Sequence, residues 1–99
     1  MEKISADRVE DLLKTVEGWS VEGESISRQF VFPGFPDAIA FVVRLGFAAE
    51  AADHHPDLLI NYKRVRVTYS THSAGGLTEK DFEGAVAANA AALRAVPMR

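Results

Sequence analysis

The chain cannot remain helical across Pro56, and this proline determines where the longest helical pattern stops. Apolar residues recur at helical spacing from Ile39 to Phe47, and the alanine-rich segment that follows ends at His54-His55-Pro56. Because proline disfavours helical geometry at the preceding residue, the helix must end at or before the two histidines. We therefore expect both histidines at a corner between a helix and a strand, where side chains can face a cleft.

The residues after Pro56 change to the two-residue alternation that is typical of β-strands. Residues 57–61 and 64–70 predict two strands joined by a tight turn, and His72 follows at the end of the second strand. All three histidines of the chain therefore lie within residues 50–81. The second strand can carry His72 back toward the histidine pair, so this segment is a candidate functional site.

The remaining elements complete a simple order. Helical periodicity predicts helices over residues 6–16, over about 16 residues from Pro36, and from Thr78 to a point before Pro97; alternation predicts strands over residues 19–22 and 27–32. The order is α-β-β-α-β-β-α, and every strand connection can be a hairpin or one helix crossover. It indicates an α+β fold of two layers, in which a four-stranded antiparallel sheet carries three helices on one face.

Two local patterns give more detailed expectations. Thr78-Glu79-Lys80-Asp81 resembles a capping box in which Asp81 replaces the usual Glu or Gln. Arg28 falls on the apolar side of the second strand, between Ile26 and Phe30. We expect the long arginine side chain to extend past its apolar neighbours to solvent.

Composition and charge narrow the class of function. Ninety-nine residues predict one domain over residues 1–99, and 47% hydrophobic with 25% charged residues is ordinary for a globular protein. The formal net charge of -3 argues against a nucleic-acid partner. The absence of cysteine excludes disulfides and zinc–thiolate sites and fits a cytoplasmic protein. The longest apolar stretch, residues 39–49, is interrupted by Arg44 and is too short to span a membrane.

The second predicted helix is apolar on two sides. One side carries Ile39, Val42, Val43, Gly46 and Phe47, and the other carries Phe41, Leu45 and Ala48. Such a helix needs two partners, of which the sheet is one. We expect the second to be another copy of the chain, although coverage of both sides within one chain stays open.

Three histidines in one segment can supply both a proton donor and a proton acceptor near neutral pH. Neighbouring carboxylates can orient the imidazoles and hold them in different protonation states. This combination suits a reaction that needs one general acid and one general base. The candidate catalytic residues are His54, His55 and His72, with Glu50, Asp53 and Asp81 as orienting carboxylates.

Other interpretations of the same residues stay open. The three histidines and a carboxylate could bind zinc or iron, but adjacent residues rarely point at one ion and no His-x-x-x-His helical pair is present. The hydroxyls of residues 70–73 could act as nucleophiles, but no nucleophile elbow surrounds them. Gly75-Gly76 before a helix could bind phosphate, but two glycines are a weak signal.

The spacing of these residues resembles that of a known family, the pterin-4a-carbinolamine dehydratases. The matching residues are Glu50, His54-His55-Pro56, Tyr62, Thr71-His72, Gly76-Leu77-Thr78 and Asp81, together with Gly18-Trp19 and the Phe30-x-Phe32 strand. The resemblance covers essentially the whole chain, and its motif is specific because uncommon residues recur at fixed separations. The family fold agrees with the order derived above from periodicity.

The resemblance implies an activity and a site. The activity is loss of water from 4a-hydroxytetrahydrobiopterin to give quinonoid dihydropterin, which recycles the pterin cofactor of aromatic amino acid hydroxylases without a metal or organic cofactor. It implies that the three histidines act as acid and base, and that the protein is a homodimer or homotetramer. It implies a small-molecule pterin site formed by Pro56, Thr71, Ser73 and Ala74, with Trp19 closing it or belonging to the core.

The sequence also departs from the family pattern. Leu58 stands where the family often has an aromatic residue, and the Ser73-Ala74-Gly75 segment differs from animal members. Neither change removes a titratable group, so we expect activity to survive. The alternative function is non-enzymatic, since animal members also bind a transcription factor as a dimerisation cofactor and some relatives are assembly factors. In that case the second helix would be the contact surface.

Overall fold

The computed structural model describes residues 2–93. The helices are α1 (Ala6–Leu13), α2 (Phe35–Ala52) and α3 (Glu79–Leu93), and the strands are β1 (Ser20–Glu22), β2 (Ser25–Val31), β3 (Asp57–Asn61) and β4 (Arg64–Tyr69). A 3₁₀ turn, His72–Ala74, separates β4 from α3. The predicted α+β order and four-stranded antiparallel sheet are confirmed. Pro97, expected just beyond the last helix, lies outside the described residues.

The four strands form one sheet in the order β1-β2-β4-β3, with every neighbouring pair antiparallel. The two central strands supply most of the buried strand residues, and Phe30 on β2 pairs with Val65 on β4. Alternate β4 residues, Val65, Val67 and Tyr69, are buried beneath the helices. This register brings the end of β4, and with it His72, to one end of the sheet.

Helices α2 and α3 contact the sheet and each other. Helix α2 buries Phe41 and Leu45, whereas Val43 and Phe47 on its other side remain exposed, Phe47 by 76%. Helix α3 buries a row of small side chains, Ala85, Ala88 and Ala91. Small residues let the backbone of α3 approach the core closely. Val43 and Phe47 of the second apolar side are thus left uncovered within residues 2–93, whereas Val42 packs against the core.

Helix α1 ends three residues earlier than its periodicity predicts. The last turn tightens through backbone bonds from Lys14 to Asp11 and from Thr15 to Leu12, each spanning three residues. This tighter turn redirects the chain, so Val16 enters the core as part of the connection to β1. Apolar periodicity alone could not separate a core residue on a helix from one just after it.

Arg28 extends past its apolar neighbours and is half-buried, but its guanidinium is held by protein groups instead of being free in solvent. Its guanidinium lies 4.4 Å from the Phe30 ring centroid and donates hydrogen bonds to the Glu17 carbonyl and to Asn89 Oδ1, each at 2.8 Å. Asn89 Oδ1 also accepts a bond from the Trp19 indole N–H at 2.9 Å. A charged residue is therefore accommodated beside the core because two oxygens and an aromatic face receive it.

Candidate active site

The N-terminus of α3 provides the central carboxylate of the site. The Thr78 backbone N–H donates to Asp81 Oδ2 at 2.9 Å, while Thr78 Oγ1 accepts the Lys80 N–H at 3.3 Å. This is the capping arrangement that the sequence suggests, except that the threonine hydroxyl bonds the second helical N–H rather than the third. The cap leaves Asp81 Oδ1 available for another partner.

Asp81 is fully buried, and its two oxygens are held by three groups. Oδ1 accepts a bond from His54 Nε2 at 2.6 Å, and Oδ2 accepts the Thr71 hydroxyl at 2.8 Å besides the Thr78 N–H. Since Thr71 donates to the carboxylate, the Thr78 hydroxyl must donate to Thr71 Oγ1, 2.9 Å away. A buried carboxylate with several donors is fixed in position, and it fixes the imidazole bonded to it.

His54 is nearly enclosed, with only 14% of its side chain exposed. Its imidazole stacks on the Tyr69 ring, with centroids 5.6 Å apart and an angle of 17° between the planes. Both rings line a cavity of about 170 Å³ between α2 and α3, whose other walls are mainly alanines with Lys80 and Glu83. Burial, with a further contribution from the Asp81 charge, raises the pKa of Tyr69 from 10 to about 12.

The corner between α2 and β3 directs the side chains of the two adjacent histidines into different surroundings. Asp53 ends α2 in the left-handed conformation, with φ 53° and ψ 41°, and its N–H bonds the Glu50 carbonyl. This conformation is uncommon for residues other than glycine, although aspartate tolerates it better than most. In the described part of the chain the Asp53 carboxylate has no hydrogen bond to an imidazole, so its visible contribution is through the backbone.

His55 lies in different surroundings from His54. Its Nε2 is 2.8 Å from Glu50 Oε1, and the two side chains are 57% and 81% exposed. Glu50 belongs to the last turn of α2, so the pair closes over the corner at the surface. The histidine is oriented by a carboxylate, as His54 is, but in contact with solvent.

His72 opens the 3₁₀ turn and is exposed. It lines a cleft of about 290 Å³ at the end of the sheet, which the structure builds from Glu24, Ser25, Asp57, Thr68, Ser70, Thr71, His72, Gly75 and Gly76. Thr71 belongs to this cleft and also donates to the buried Asp81. The hydrogen-bonded path Thr71–Asp81–His54 therefore connects the His72 cleft with the cavity between the helices.

The amino-acid sequence of this chain is similar to those of known proteins. The family described as pterin 4 alpha carbinolamine dehydratase matches residues 2–91. The chain belongs to this family. A protein of Roseiflexus sp. (strain RS-1) named "putative pterin-4-alpha-carbinolamine dehydratase" is 47% identical over 82% of this chain and 87% of its own. One of Chloroflexus aurantiacus with the same name is 49% identical over 88% and 94%.

Solved structures share the fold. The transcriptional coactivator/pterin dehydratase of Brucella melitensis has a TM-score of 0.88 and 38% identity, over 92% of this chain and 99% of that chain. A pterin dehydratase-like protein described as a RuBisCO assembly factor in the alpha-carboxysome has a TM-score of 0.62 and 20% identity, over 75% and 86%. The second likeness concerns the fold alone.

Some residues that the family resemblance assigns to the pterin site lie near the cleft but not on its wall. Pro56 is followed by Asp57, which does line the cleft, and Ser73 and Ala74 continue the turn that begins at His72. Trp19 is buried in the core against Phe30 and Tyr69, with centroids 6.2 Å from each. The binding roles of these four residues, Pro56, Trp19, Ser73 and Ala74, stay predictions.

Sequence reasoning missed several residues of the site. Glu24 and Ser25 reach the cleft from the β1–β2 turn, and no local pattern marks them as neighbours of His72. The alternation of residues 64–70 marks Tyr69 only as part of a strand, although its ring contacts His54. The sequence signal that could have identified this contact is Gly84. Glycine destabilises a helix interior, so its presence there indicates close packing against another residue.

Within residues 2–93 the structure contains neither a set of metal ligands nor a helix that could span a membrane. No set of three or more His, Cys, Asp or Glu side chains in this range is arranged to hold a metal ion. The metal-site alternative therefore finds no ligand set in that part of the chain. None of the helices α1 to α3 combines the length and apolar character needed to cross a bilayer.

Proposed function

We propose that this chain catalyses the dehydration of 4a-hydroxytetrahydrobiopterin to quinonoid dihydropterin by histidine general acid–base catalysis. The observation that carries the proposal is the hydrogen-bonded path Thr71–Asp81–His54 beside the His72 cleft. The names of the bacterial relatives and the family match support the same substrate class. The reaction would return the pterin cofactor of aromatic amino acid hydroxylases to a reducible form.

The reaction needs proton transfers and no change of oxidation state. The C4a–O bond breaks, and the departing oxygen takes a proton from a general acid and leaves as water. N5 loses its proton to a general base, and the electron pair of that N–H bond becomes the new N5=C4a bond. Each positioned proton transfer contributes roughly 10²–10⁴-fold to the rate. The proposal includes no metal or organic cofactor, since the atoms balance without one.

The surroundings of the three imidazoles suit different roles. His54 and His55 each bind a carboxylate through Nε2, which in the neutral ring carries the proton and leaves Nδ1 able to accept one. The His72 imidazole has no hydrogen bond to another group of residues 2–93, and His72 lines the cleft directly. We assign the general base to a carboxylate-bound imidazole and the general acid to His72.

The cleft has dimensions and polarity that fit the substrate. Its volume of about 290 Å³ is close to the lower end of small-molecule pockets, roughly 300 Å³. Thr68 and Ser70 line it, and hydroxyl groups of this kind can pair with the amide-like edge of a pterin ring. Leu58, where family members often carry an aromatic residue, lies on β3 outside this lining.

The test is the dehydration rate of freshly generated 4a-hydroxytetrahydrobiopterin, followed by ultraviolet absorbance in the presence of a chelator. We expect wild-type protein to accelerate the reaction and His72→Ala to lose about 10²-fold or more of that acceleration. Gln29→Ala, on the open face of the sheet, is the control that should keep it. A folded wild-type protein with no acceleration would contradict the proposal and favour the protein-binding alternative.

We also propose that the chain forms a homodimer or homotetramer. β3 is an edge strand on which Leu58, Leu59 and Ile60 are exposed. Its only charge, Asp57, lies at one end, so a second copy can pair with it antiparallel about a twofold axis without opposing like charges at the centre. The uncovered side of α2, with Phe47, provides a second surface of the same kind.

Sedimentation velocity tests this assembly. We expect Leu59→Arg to disrupt pairing at the edge strand, and Phe47→Glu to reduce a tetramer to a dimer. Wild-type protein that sediments as a monomer at micromolar concentration would contradict the oligomer. Membrane and nucleic-acid partners have no part in the proposal, and the lack of cysteine is the reason to place the chain in the cytoplasm.

A further inference from the structure

Tyr69 lies between the catalytic candidate His54 and the core. It is the last residue of β4, and its ring is almost fully buried. One side of the ring stacks on the His54 imidazole, and another contacts Trp19 in a tilted arrangement with centroids 6.2 Å apart. Aromatic pairs at these separations are favourable and restrict the orientation of both rings.

Helix α3 leaves space for this ring at Gly84. A Cβ atom at position 84 would lie 2.4 Å from Tyr69 Cζ and 2.6 Å from Cε1, which is too close for any side chain. Glycine is disfavoured in a helix interior relative to alanine, so its presence there needs a packing reason. The tyrosine ring provides that reason, and the two residues form a matched pair between β4 and α3.

We propose that Tyr69 is a positioning residue for His54. The stacked ring sets the plane of the imidazole, Asp81 fixes which nitrogen carries the proton, and Gly84 makes room for the ring. Without the phenol ring, the imidazole could turn into the cavity of about 170 Å³ that both side chains line. The catalytic consequence of this positioning rests on the proposed dehydratase function, whereas the positioning itself does not.

The charged groups around His54 stay the same when Tyr69 is replaced, so the effect of the ring on His54 can be measured separately from charge. Asp81, Lys80 and Glu83 face the imidazole or its cavity from α3, β4 contributes Tyr69, and the lining residues of α2 are alanines. Because its pKa is about 12, the Tyr69 hydroxyl is neutral throughout the physiological range. Replacing Tyr69 by Leu therefore removes no charge, so a changed His54 titration would report its position and burial.

The experiment compares Tyr69→Leu with Tyr69→Phe, which keeps the ring. Phe35→Leu removes an aromatic ring at the exposed start of α2, away from the proposed site, and serves as the control. Readouts are kcat, KM and the ring ¹⁵N and ¹H signals of His54 across pH. We expect Tyr69→Leu to lower kcat by about 10-fold with KM changed less than about twofold, and to reduce the population of the Nε2–H tautomer.

Tyr69→Phe and Phe35→Leu should retain both the kcat and the His54 signals of wild type. A second comparison separates packing from positioning. Gly84→Ala alone should perturb folding, because its Cβ overlaps Tyr69, whereas Tyr69→Leu/Gly84→Ala should fold because the overlapping ring atoms are gone. The double variant should still show the altered His54 signals of Tyr69→Leu.

Two results would overturn the inference. One is a folded Tyr69→Leu protein with wild-type His54 signals, and the other is a Tyr69→Phe protein as impaired as Tyr69→Leu, which would transfer the role to the hydroxyl. If wild-type protein shows no turnover, the proposed function fails. The His54 signals then decide the positioning role by themselves, because they are measured without substrate.

Discussion

His54 and His55 are neighbours in the chain, and each binds a carboxylate through Nε2, yet their surroundings are opposite. The His54–Asp81 pair is 2.6 Å apart, with Asp81 fully buried, whereas the His55–Glu50 pair is 2.8 Å apart and mostly exposed. Exposed pairs contribute about 0–1 kcal/mol to folding because water competes for both partners. Breaking a buried pair leaves polar groups without partners and costs much more.

One corner between a helix and a strand can therefore hold one buried and one exposed histidine. The buried imidazole is held by a carboxylate, a stacked ring and a helix terminus, so the folded chain fixes its geometry. The exposed one can change rotamer and exchange protons with solvent. We expect changes in the buried pair to affect folding and activity together, and changes in the exposed pair to affect activity with little effect on folding.

The largest expected effect is that of Asp81→Ala. It removes the acceptor for the Thr71 hydroxyl, the Thr78 N–H and His54 Nε2 at once. We expect the free energy of unfolding to fall by about 3 kcal/mol, since each buried group left unsatisfied costs about 1–3 kcal/mol. Urea denaturation measures it. Asp11→Ala, at an exposed position of α1, should change the free energy by less than about 0.5 kcal/mol.

An Asp81→Ala variant as stable as Asp11→Ala would contradict the view that the buried pair is structurally integral. Asp81→Asn refines the test because it keeps the volume of the side chain. Its amide oxygen can replace Oδ2 as the acceptor for Thr71 and Thr78, but its NH₂ group then stands where Oδ1 accepts from His54 Nε2. We therefore expect Asp81→Asn to be less stable than wild type and more stable than Asp81→Ala.

The next largest effect concerns Tyr69 at alkaline pH. The folded state keeps the phenol proton up to about pH 12, whereas an unfolded tyrosine releases it near 10. Between these values the unfolded state binds fewer protons, so the stability that is present below pH 10 is lost as pH rises. The unfolding free energy of wild type relative to Tyr69→Phe should fall by about 2 kcal/mol between pH 10 and 12.

Urea titrations at several pH values measure this difference. Tyr62 is present in both proteins, so its contribution cancels in the comparison. A difference that stays constant from pH 9 to 12 would show that the Tyr69 hydroxyl is not buried in the folded state. This pH dependence tests the surroundings of the buried His54–Asp81 pair, because burial and the Asp81 charge raise the pKa of Tyr69.

A smaller effect is expected at Asp53, which ends α2 immediately before the two histidines. Its φ of 53° suits glycine better than a residue with a Cβ. Asp53→Gly should therefore be stabilising or neutral, within about 0.5 kcal/mol, whereas Asp53→Ala should be destabilising by about 1 kcal/mol. Thermal unfolding of both variants checks this order, and the reverse order would mean that the carboxylate matters more than the backbone.

The smallest effect on folding is expected for Glu50→Gln. This change removes the charge from the exposed pair with His55 and should alter the unfolding free energy by less than about 0.5 kcal/mol. Dehydratase activity should fall more noticeably, because the amide orients His55 less well. Salt offers a further check, since 0.5 M salt should reduce the difference between Glu50→Gln and wild type. If Glu50→Gln lowered the unfolding free energy nearly as much as Asp81→Ala, the exposed and buried pairs would not differ in their contribution to stability.

Much of the fold could be predicted because its signals are local. The break at Pro56 and the alternation of residues 64–70 predict a helix-to-strand corner followed by a strand, and α2 and β4 end within a few residues of these positions. The capping box at Thr78 likewise identifies the start of α3. Local signals do not reveal contacts with distant partners, as at Arg28, which donates hydrogen bonds to residues 17 and 89.

The sequence by itself determined the element order, the corner that carries His54 and His55, and the capping carboxylate Asp81. These features depend on backbone geometry and on contacts between residues close in the chain. It also placed all three histidines in one segment. It could not show which surroundings each histidine has, because adjacent side chains at a corner point in directions that only the packed chain defines.

The tertiary structure decided those surroundings. Packing of α3 on the sheet buries Asp81 beneath Thr71 and brings His54 to it, while His55 remains at the surface and His72 opens onto the cleft. It also matches Tyr69 to Gly84 across 15 residues of chain. The physical reason is that burial and stacking depend on elements that are close in space, which local periodicity does not encode.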